Sequence, residues 1–289
     1  MNHSRSSLKI STIVLFLLFT IGLSAQTKSD SFKTSDGVKI HYLEAGSGRP
    51  IVLIPGWTMP AWIWEHQING LSKKYHVIAV DPRSQGESDK PSFGHLPETR
   101  ARDYKELVDH LNLKQPLLVG WSMGCGELIK YAAQFGSDNV GGYVLVDGFL
   151  SDKPSPELYG FLSGWMNLLQ QDRHKQADGF VRTMYKKPHP EDYYKRVTDA
   201  SVAVPDDTAA ILIYNMMSMK DIPAGLAKMK PPVLFIYQPT SQGSADFLKA
   251  TLGDKAKFEK FEDAGHALFV DDADRFNRVV DEFAQSMWK

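Results

Sequence analysis

Leu117-Leu118-Val119-Gly120-Trp121-Ser122-Met123-Gly124-Cys125-Gly126 decides how the chain is read. A short apolar run meets a turn built on Gly120, Ser122 and Gly124, and an amphipathic segment follows. The spacing predicts a strand, a sharp turn and a helix, with Ser122 at the apex. A serine hydroxyl is a weak nucleophile at neutral pH, so a reactive one must stand clear of the sheet with backbone N–H groups beside it. Glycines two residues to either side allow that, because a side chain there would collide with the neighbouring backbone.

The stretch resembles the nucleophile elbow of the α/β-hydrolase fold, and Val119 to Glu127 is similar to the aryl-esterase and cofactor-free haloperoxidase branch. The resemblance implies a mostly parallel, eight-stranded sheet with helices on both faces and a helical cap insertion.

Upstream, Ser31 to Thr34, an Asp36-Gly37 turn and the alternating stretch Val38 to Leu43 predict an edge hairpin. Ile51 to Ile54 is continuously apolar, as in a strand buried on both faces. The loop Pro55-Gly56-Trp57-Thr58 then resembles the family's H-G-x loop, with Pro55 where a histidine is common. The match assigns one oxyanion donor to the N–H of Trp57 and the other to the N–H of Met123. After a helix from Trp62 to Leu71 and a strand from Tyr75 to Val80, Asp81-Pro82-Arg83-Ser84-Gln85-Gly86-Glu87-Ser88 resembles a D-x-R-G-x-G-x-S turn. Asp81 and Arg83 are expected to form a loop-stabilising salt bridge. Tyr104, Leu107, Val108 and Leu111 have amphipathic helical spacing.

Downstream, Gly142 to Val146 predicts a strand ending at Asp147. Alternating strands and helices call for a right-handed parallel sheet covered on both faces. Leu158, Phe161, Leu162, Trp165 and Leu169, with Met216, Met217 and Met219, break the alternation and suggest a helical cap. The loop around Pro188, His189 and Pro190 is expected to be solvated. Val233 to Tyr237 and Lys257 to Phe261 predict the last strands, followed by Asp263-Ala264-Gly265-His266 and a closing helix. The resulting units are a core from 26 to 150, a cap from 151 to 222 and a second core segment from 223 to 289.

His266 follows the last strand, where the family's triad requires its base. The order Ser, acid, His then asks for a carboxylate between them. The family commonly carries it in a G-x-x-D turn, which here reads Gln238-Pro239-Thr240-Ser241, with Ser241 at the acid position. Some relatives place it at the end of the preceding strand, where Asp147 stands. Asp246 is the second candidate, although it is expected inside the next helix. The reading is a serine hydrolase acting on a small-molecule carboxylic ester through Ser122, Asp147 and His266. Two other readings are a non-catalytic ligand-binding homologue and a cofactor-free lyase or C–C hydrolase. The same triad serves the latter.

The 289 residues carry a net charge of −1 and no basic stripe, which argues against a nucleic-acid partner. Residues 1 to 25 have the layout of a signal peptide: Arg5 and Lys9, an uncharged run from Ile10 to Leu23, then Ser24 and Ala25. A periplasmic or secreted protein is expected, without stable membrane association once that segment is removed. Cys125 is the sole cysteine, so no internal disulfide forms, and inside a helix it reads as a small buried hydrophobe. The nine histidines include no H-x-H or H-E-x-x-H pair, so no metal is expected, and the resemblance to the cofactor-free branch implies no cofactor.

Overall fold

The structure is a computed structural model that describes residues 26–152 and 156–288. The segment read as a signal peptide lies outside the described residues.

Eight strands form one sheet: β1 (Lys28–Lys33), β2 (Lys39–Ala45), β3 (Pro50–Ile54), β4 (His76–Val80), β5 (Leu117–Trp121), β6 (Gly142–Val146), β7 (Val233–Tyr237) and β8 (Ala256–Lys260). Their spatial order is β1-β2-β4-β3-β5-β6-β7-β8. β2 runs antiparallel to both of its neighbours, and all remaining pairs are parallel. The α/β-hydrolase sheet expected from the elbow is therefore the one observed.

Alternation along the central strands divides the core into two layers. Ile51, Leu53, Val119, Trp121, Val144, Val146, Leu234 and Ile236 face one layer, beneath α1 (Glu65–Leu71), α10 (Leu268–Asp271) and α11 (Ala273–Met287). Val52, Ile54, Leu118, Tyr143, Leu145, Val233 and Phe235 face the other, beneath α2 (Pro97–His110), α3 (Met123–Phe135), α8 (Ile222–Ala227) and α9 (Gln242–Leu252). Burying each such side chain is worth about 1.5–3 kcal/mol, which is why these strands read as unbroken apolar runs.

Between β6 and β7 the chain forms α4 (Pro156–Gln171), α5 (Arg173–Thr183), α6 (Glu191–Val202) and α7 (Asp206–Met217). Val181, Met184, Tyr185, Tyr194 and Val197 continue the first core layer, so these helices share packing with the body. Trp57, Met123, Val204, Ala209, Leu212 and Ile213 make a separate apolar cluster where α7 meets the elbow. Of the expected cap stripe, the side chains of Leu158, Phe161, Leu162, Leu169 and Met217 lie outside the described residues. Trp165 packs at a tilt against Trp57 and Phe180, with centroids 4.7 and 5.0 Å away.

One local expectation needs correction. Asp81 and Arg83 do not pair with each other. Asp81 ends β4 beside β2, where its carboxylate accepts from His41 Nδ1 at 2.6 Å and from the N–H groups of Ala61 and Glu87. Arg83 points the other way, into α2, and makes a two-pronged pair with Asp103 at 2.6 and 2.7 Å plus a bond to Asp36 at 3.0 Å. Residues two apart in a tight turn diverge, and each takes the nearest buried partner. The loop around Pro188, His189 and Pro190 is solvated as expected, with Lys186, Lys187, Pro188 and Pro190 exposed, while the half-buried His189 turns its Nε2 to the buried Asp271 Oδ1 at 3.2 Å. Its loop is a seam between the cap and α10, because Asp271 is a buried carboxylate whose acceptor sites must be filled.

Candidate active site

The elbow takes the conformation its glycines permit. Ser122 has φ 55° and ψ −116°, outside the regions ordinary residues favour, and directly precedes α3. Ser122 N–H donates to Val146 O at 2.8 Å, which ties the turn to β6. A Cβ on Gly124 would lie 3.0 Å from Ile54 O, so the helix start approaches β3 as closely as glycine alone allows. Met123 is the first residue of α3, so its N–H has no carbonyl partner within the helix.

Register brings Asp147 to the same place. Trp121 pairs with Val146 across β5 and β6, so Ser122 and Asp147 emerge together from the carboxyl ends of adjacent strands. Asp147 also has a positive φ, 47°, and a fully buried side chain. Its N–H donates to Ile236 O at 2.8 Å, and its Oδ1 accepts from Gln238 N–H at 3.1 Å. Its Oδ2 stands 2.7 Å from His266 Nδ1. A carboxylate there fixes the ring tautomer by accepting from Nδ1–H and leaves Nε2 for other work.

His266 is held from three sides. Trp121 Nε1 donates to its carbonyl at 2.9 Å, and the two rings lie 5.2 Å apart. Phe149 lies 5.8 Å from the imidazole on the loop after Asp147. The flanking backbone is gripped by the cap: Ala267 N–H donates to Met184 O at 2.8 Å. Gly265 N–H and Lys186 N–H both donate to Asp271 Oδ2, at 2.7 and 2.8 Å. A Cβ on Gly265 would lie 2.6 Å from Met184 O and 2.8 Å from Lys186 N. Gly265→Ala is therefore expected to cost about 1–3 kcal/mol, measured by denaturant unfolding, because backbone on both sides must move. Wild-type stability in that variant would contradict the seam described here.

The other acid candidate is placed elsewhere. Asp246 lies exposed on α9 and accepts from Gln242 Nε2 at 3.0 Å. Ser241 is buried in the turn after β7, and that same turn supplies the Gln238 N–H that holds Asp147.

The loop Pro55 to Met59 lies against the elbow: a Cβ on Gly56 would come 3.1 Å from Ser122 Cβ. The Trp57 indole donates to Ala209 O of α7 at 2.8 Å, which leaves the Trp57 N–H, free of any backbone bond among the described residues, as an available donor. Cys125 is fully buried under the acid loop, with Sγ 3.0 Å from Gly120 O. Burial pushes its thiol well above the usual range, which disfavours the thiolate. Ser84, in place of the turn's glycine, keeps the left-handed φ of 70°, and its hydroxyl meets His95 Nε2 at 3.0 Å. Burial, then Arg100 and Arg83, push His95 down to about 4, so it stays neutral there. Among the described residues no three His, Cys, Asp or Glu side chains converge as a metal-binding group.

The chain is similar over 268 residues to the AB hydrolase superfamily protein YisY of Bacillus subtilis, at 25% identity, covering 88% of this chain and 98% of that one. It is 39% identical over 113 residues to a non-heme haloperoxidase of Rhodococcus erythropolis, covering 39% of this chain. It spans only 41% of that relative's length and 58% of a Synechocystis relative's. Among solved structures it superposes on the esterase EaEST of Exiguobacterium antarcticum with a TM-score of 0.82 at 26% identity, covering 88% of this chain and 98% of that chain. The model of the Alpha/beta hydrolase family matches residues 51–279, a span that includes the strained serine and the carboxylate–imidazole pair beside it, and the chain belongs to that family.

Proposed function

We propose that the protein is a serine hydrolase that cleaves small carboxylic esters through an acyl-enzyme. The observation that carries this reading is the Asp147–His266 pair at 2.7 Å beside a serine held at positive φ on a helix start. In the reaction, Ser122 Oγ attacks the ester carbonyl and its proton passes to His266 Nε2. The Trp57 and Met123 N–H groups hold the developing oxyanion. The intermediate collapses, the alcohol leaves with the proton from Nε2, and Ser122 is acylated. Water then attacks the acyl group and gives a proton to His266 Nε2, which returns it to Ser122 Oγ as the acyl bond breaks and the acid is released. Asp147 keeps the imidazole oriented and stabilises its cationic form.

A serine at the elbow argues against epoxide opening through an alkyl-enzyme ester, a step that needs a carboxylate nucleophile. The haloperoxidase relatives suggest perhydrolysis as a side reaction, in which peroxide replaces water on the same acyl-enzyme. The apolar cluster of Trp57, Met123, Leu212 and Ile213 against the elbow supports an apolar acyl group. Labelling with a fluorophosphonate, alongside a panel of short aryl esters, tests the proposal. An adduct on Ser122 and ester turnover are expected; folded protein that gives neither would refute it.

The first 25 residues support export to the periplasm or beyond. Intact mass of the natively produced protein is expected to place its first residue near Ala25 or Gln26. A full-length chain in the membrane fraction would instead mean a retained anchor.

A further inference from the structure

We infer that Gln85 is a positioning residue for the oxyanion loop, set in place by Arg100 and Glu127 so that elbow helix and loop move as one unit. Gln85 is fully buried. Its Nε2 donates to Gly56 O at 3.1 Å and to Met59 O at 2.7 Å, bracketing Trp57 and Thr58. Its Oε1 accepts from Arg100 Nη2 at 3.0 Å. Arg100 in turn pairs with Glu127 on α3, four residues after Met123, and Tyr104 donates to the same carboxylate. Burial opposes the Arg100 charge, but Glu127, Tyr104 and Asp103 together hold the guanidinium above its usual value.

The chemistry of this chain of bonds permits one side chain at 85. A guanidinium only donates, so it orients the amide oxygen toward itself, and the amide nitrogen must then face the two loop carbonyls. A glutamate there would satisfy Arg100 and turn an acceptor against Gly56 O and Met59 O. A methionine would fill the space and bond to neither.

The loop needs such a clamp. Thr58 sits at φ 57° without being glycine, a conformation that persists only where the surroundings over-determine it. On the cap side, Thr58 Oγ1 meets Ser201 Oγ at 2.7 Å, and Trp57 Nε1 meets Ala209 O. On the body side, Gln85 makes the corresponding grip. Between the two, the Trp57 N–H is held in a fixed direction, next to Gly56, which lies against Ser122 so closely that a Cβ there would come 3.1 Å from Ser122 Cβ.

The inference rests on the hydrolase reading, and its test compares an ester with the matching thionoester in Gln85→Glu and Gln85→Met. Sulfur is larger than oxygen and a poorer hydrogen-bond acceptor, so a well-placed oxyanion hole favours the oxygen ester. Ester kcat is expected to fall about 10- to 100-fold in both variants with KM within about twofold of wild type, since an oxyanion donor is worth about 10²- to 10³-fold. The ester-to-thionoester ratio of kcat/KM is expected to fall with it. A loss that leaves the ratio unchanged would mean general loosening and would overturn the inference, as would wild-type kcat in Gln85→Glu. A wild type without ester turnover or a Ser122 adduct would sink the hydrolase reading and this inference together. An active wild type with an unchanged ratio in the variants would sink this one alone.

Discussion

Ser122→Ala is expected to abolish fluorophosphonate labelling and to lower kcat for short aryl esters by about 10⁴-fold or more, while the protein stays folded. Removing a nucleophile leaves only the rate enhancement from the oxyanion hole and binding, and losses of about 10⁶-fold occur where the serine alone is deleted. The fold should survive because Ser122 is a turn residue whose backbone bonds, from its N–H to Val146 O and from Cys125 N–H to its own carbonyl, do not involve the side chain. A positive φ at position 122 is as costly for alanine as for serine, so the backbone strain is common to both proteins. Cys125→Ala is the matched control. Its thiol lies fully buried on the far side of the turn, and burial keeps it protonated, so most activity should remain. An inactive but folded Cys125→Ala together with an active Ser122→Ala would reverse the assignment of the nucleophile.

Asp147→Asn is expected to lower kcat by about 10⁴-fold with little change in melting temperature. The asparagine can still accept from Gln238 N–H through its oxygen. Its amide nitrogen then faces His266 Nδ1 and stabilises the tautomer with the proton on Nε2, which cannot take the serine proton. Asp246→Asn should change kcat less than about twofold, because that carboxylate bonds to Gln242 on an exposed helix face. Ser241→Asp in the Asp147→Asn background asks whether the turn after β7 can present an acid to His266; partial recovery would mean that it can. Near-wild-type activity in Asp147→Asn and loss in Asp246→Asn would move the acid to α9, and full activity in both would indicate a Ser-His dyad.

The elements that form from local preferences were legible in the residues. Ile51 to Ile54, Leu117 to Trp121, Gly142 to Val146 and Val233 to Tyr237 are continuous apolar runs, and all four are strands buried on both faces. The elbow was equally plain, since Gly120, Ser122 and Gly124 encode a backbone shape within five residues. Both depend on contacts and dihedrals close in sequence, where residue type restricts conformation directly.

What depends on side chains reaching across the fold was not legible. The strand-end place of the acid in some relatives, not any contact, favours Asp147 over Asp246 in the sequence; that Asp147 stands against His266 follows from the register of β5 on β6 and the return of the loop after β8. Asp81 and Arg83 looked like a pair until the packing of β2 and α2 gave each a nearer partner. Gln85 carried no signal beyond its place in a turn, and its grip on Gly56 and Met59 exists only because Arg100, from another helix, fixes its amide. The sequence by itself determined the strands, the elbow and the order of the chemical groups, because those rest on periodicity and backbone dihedrals. Only the tertiary structure decided which buried charges and amides meet, because a buried polar group takes whichever partner the packing brings within about 3 Å, however far away it lies along the chain.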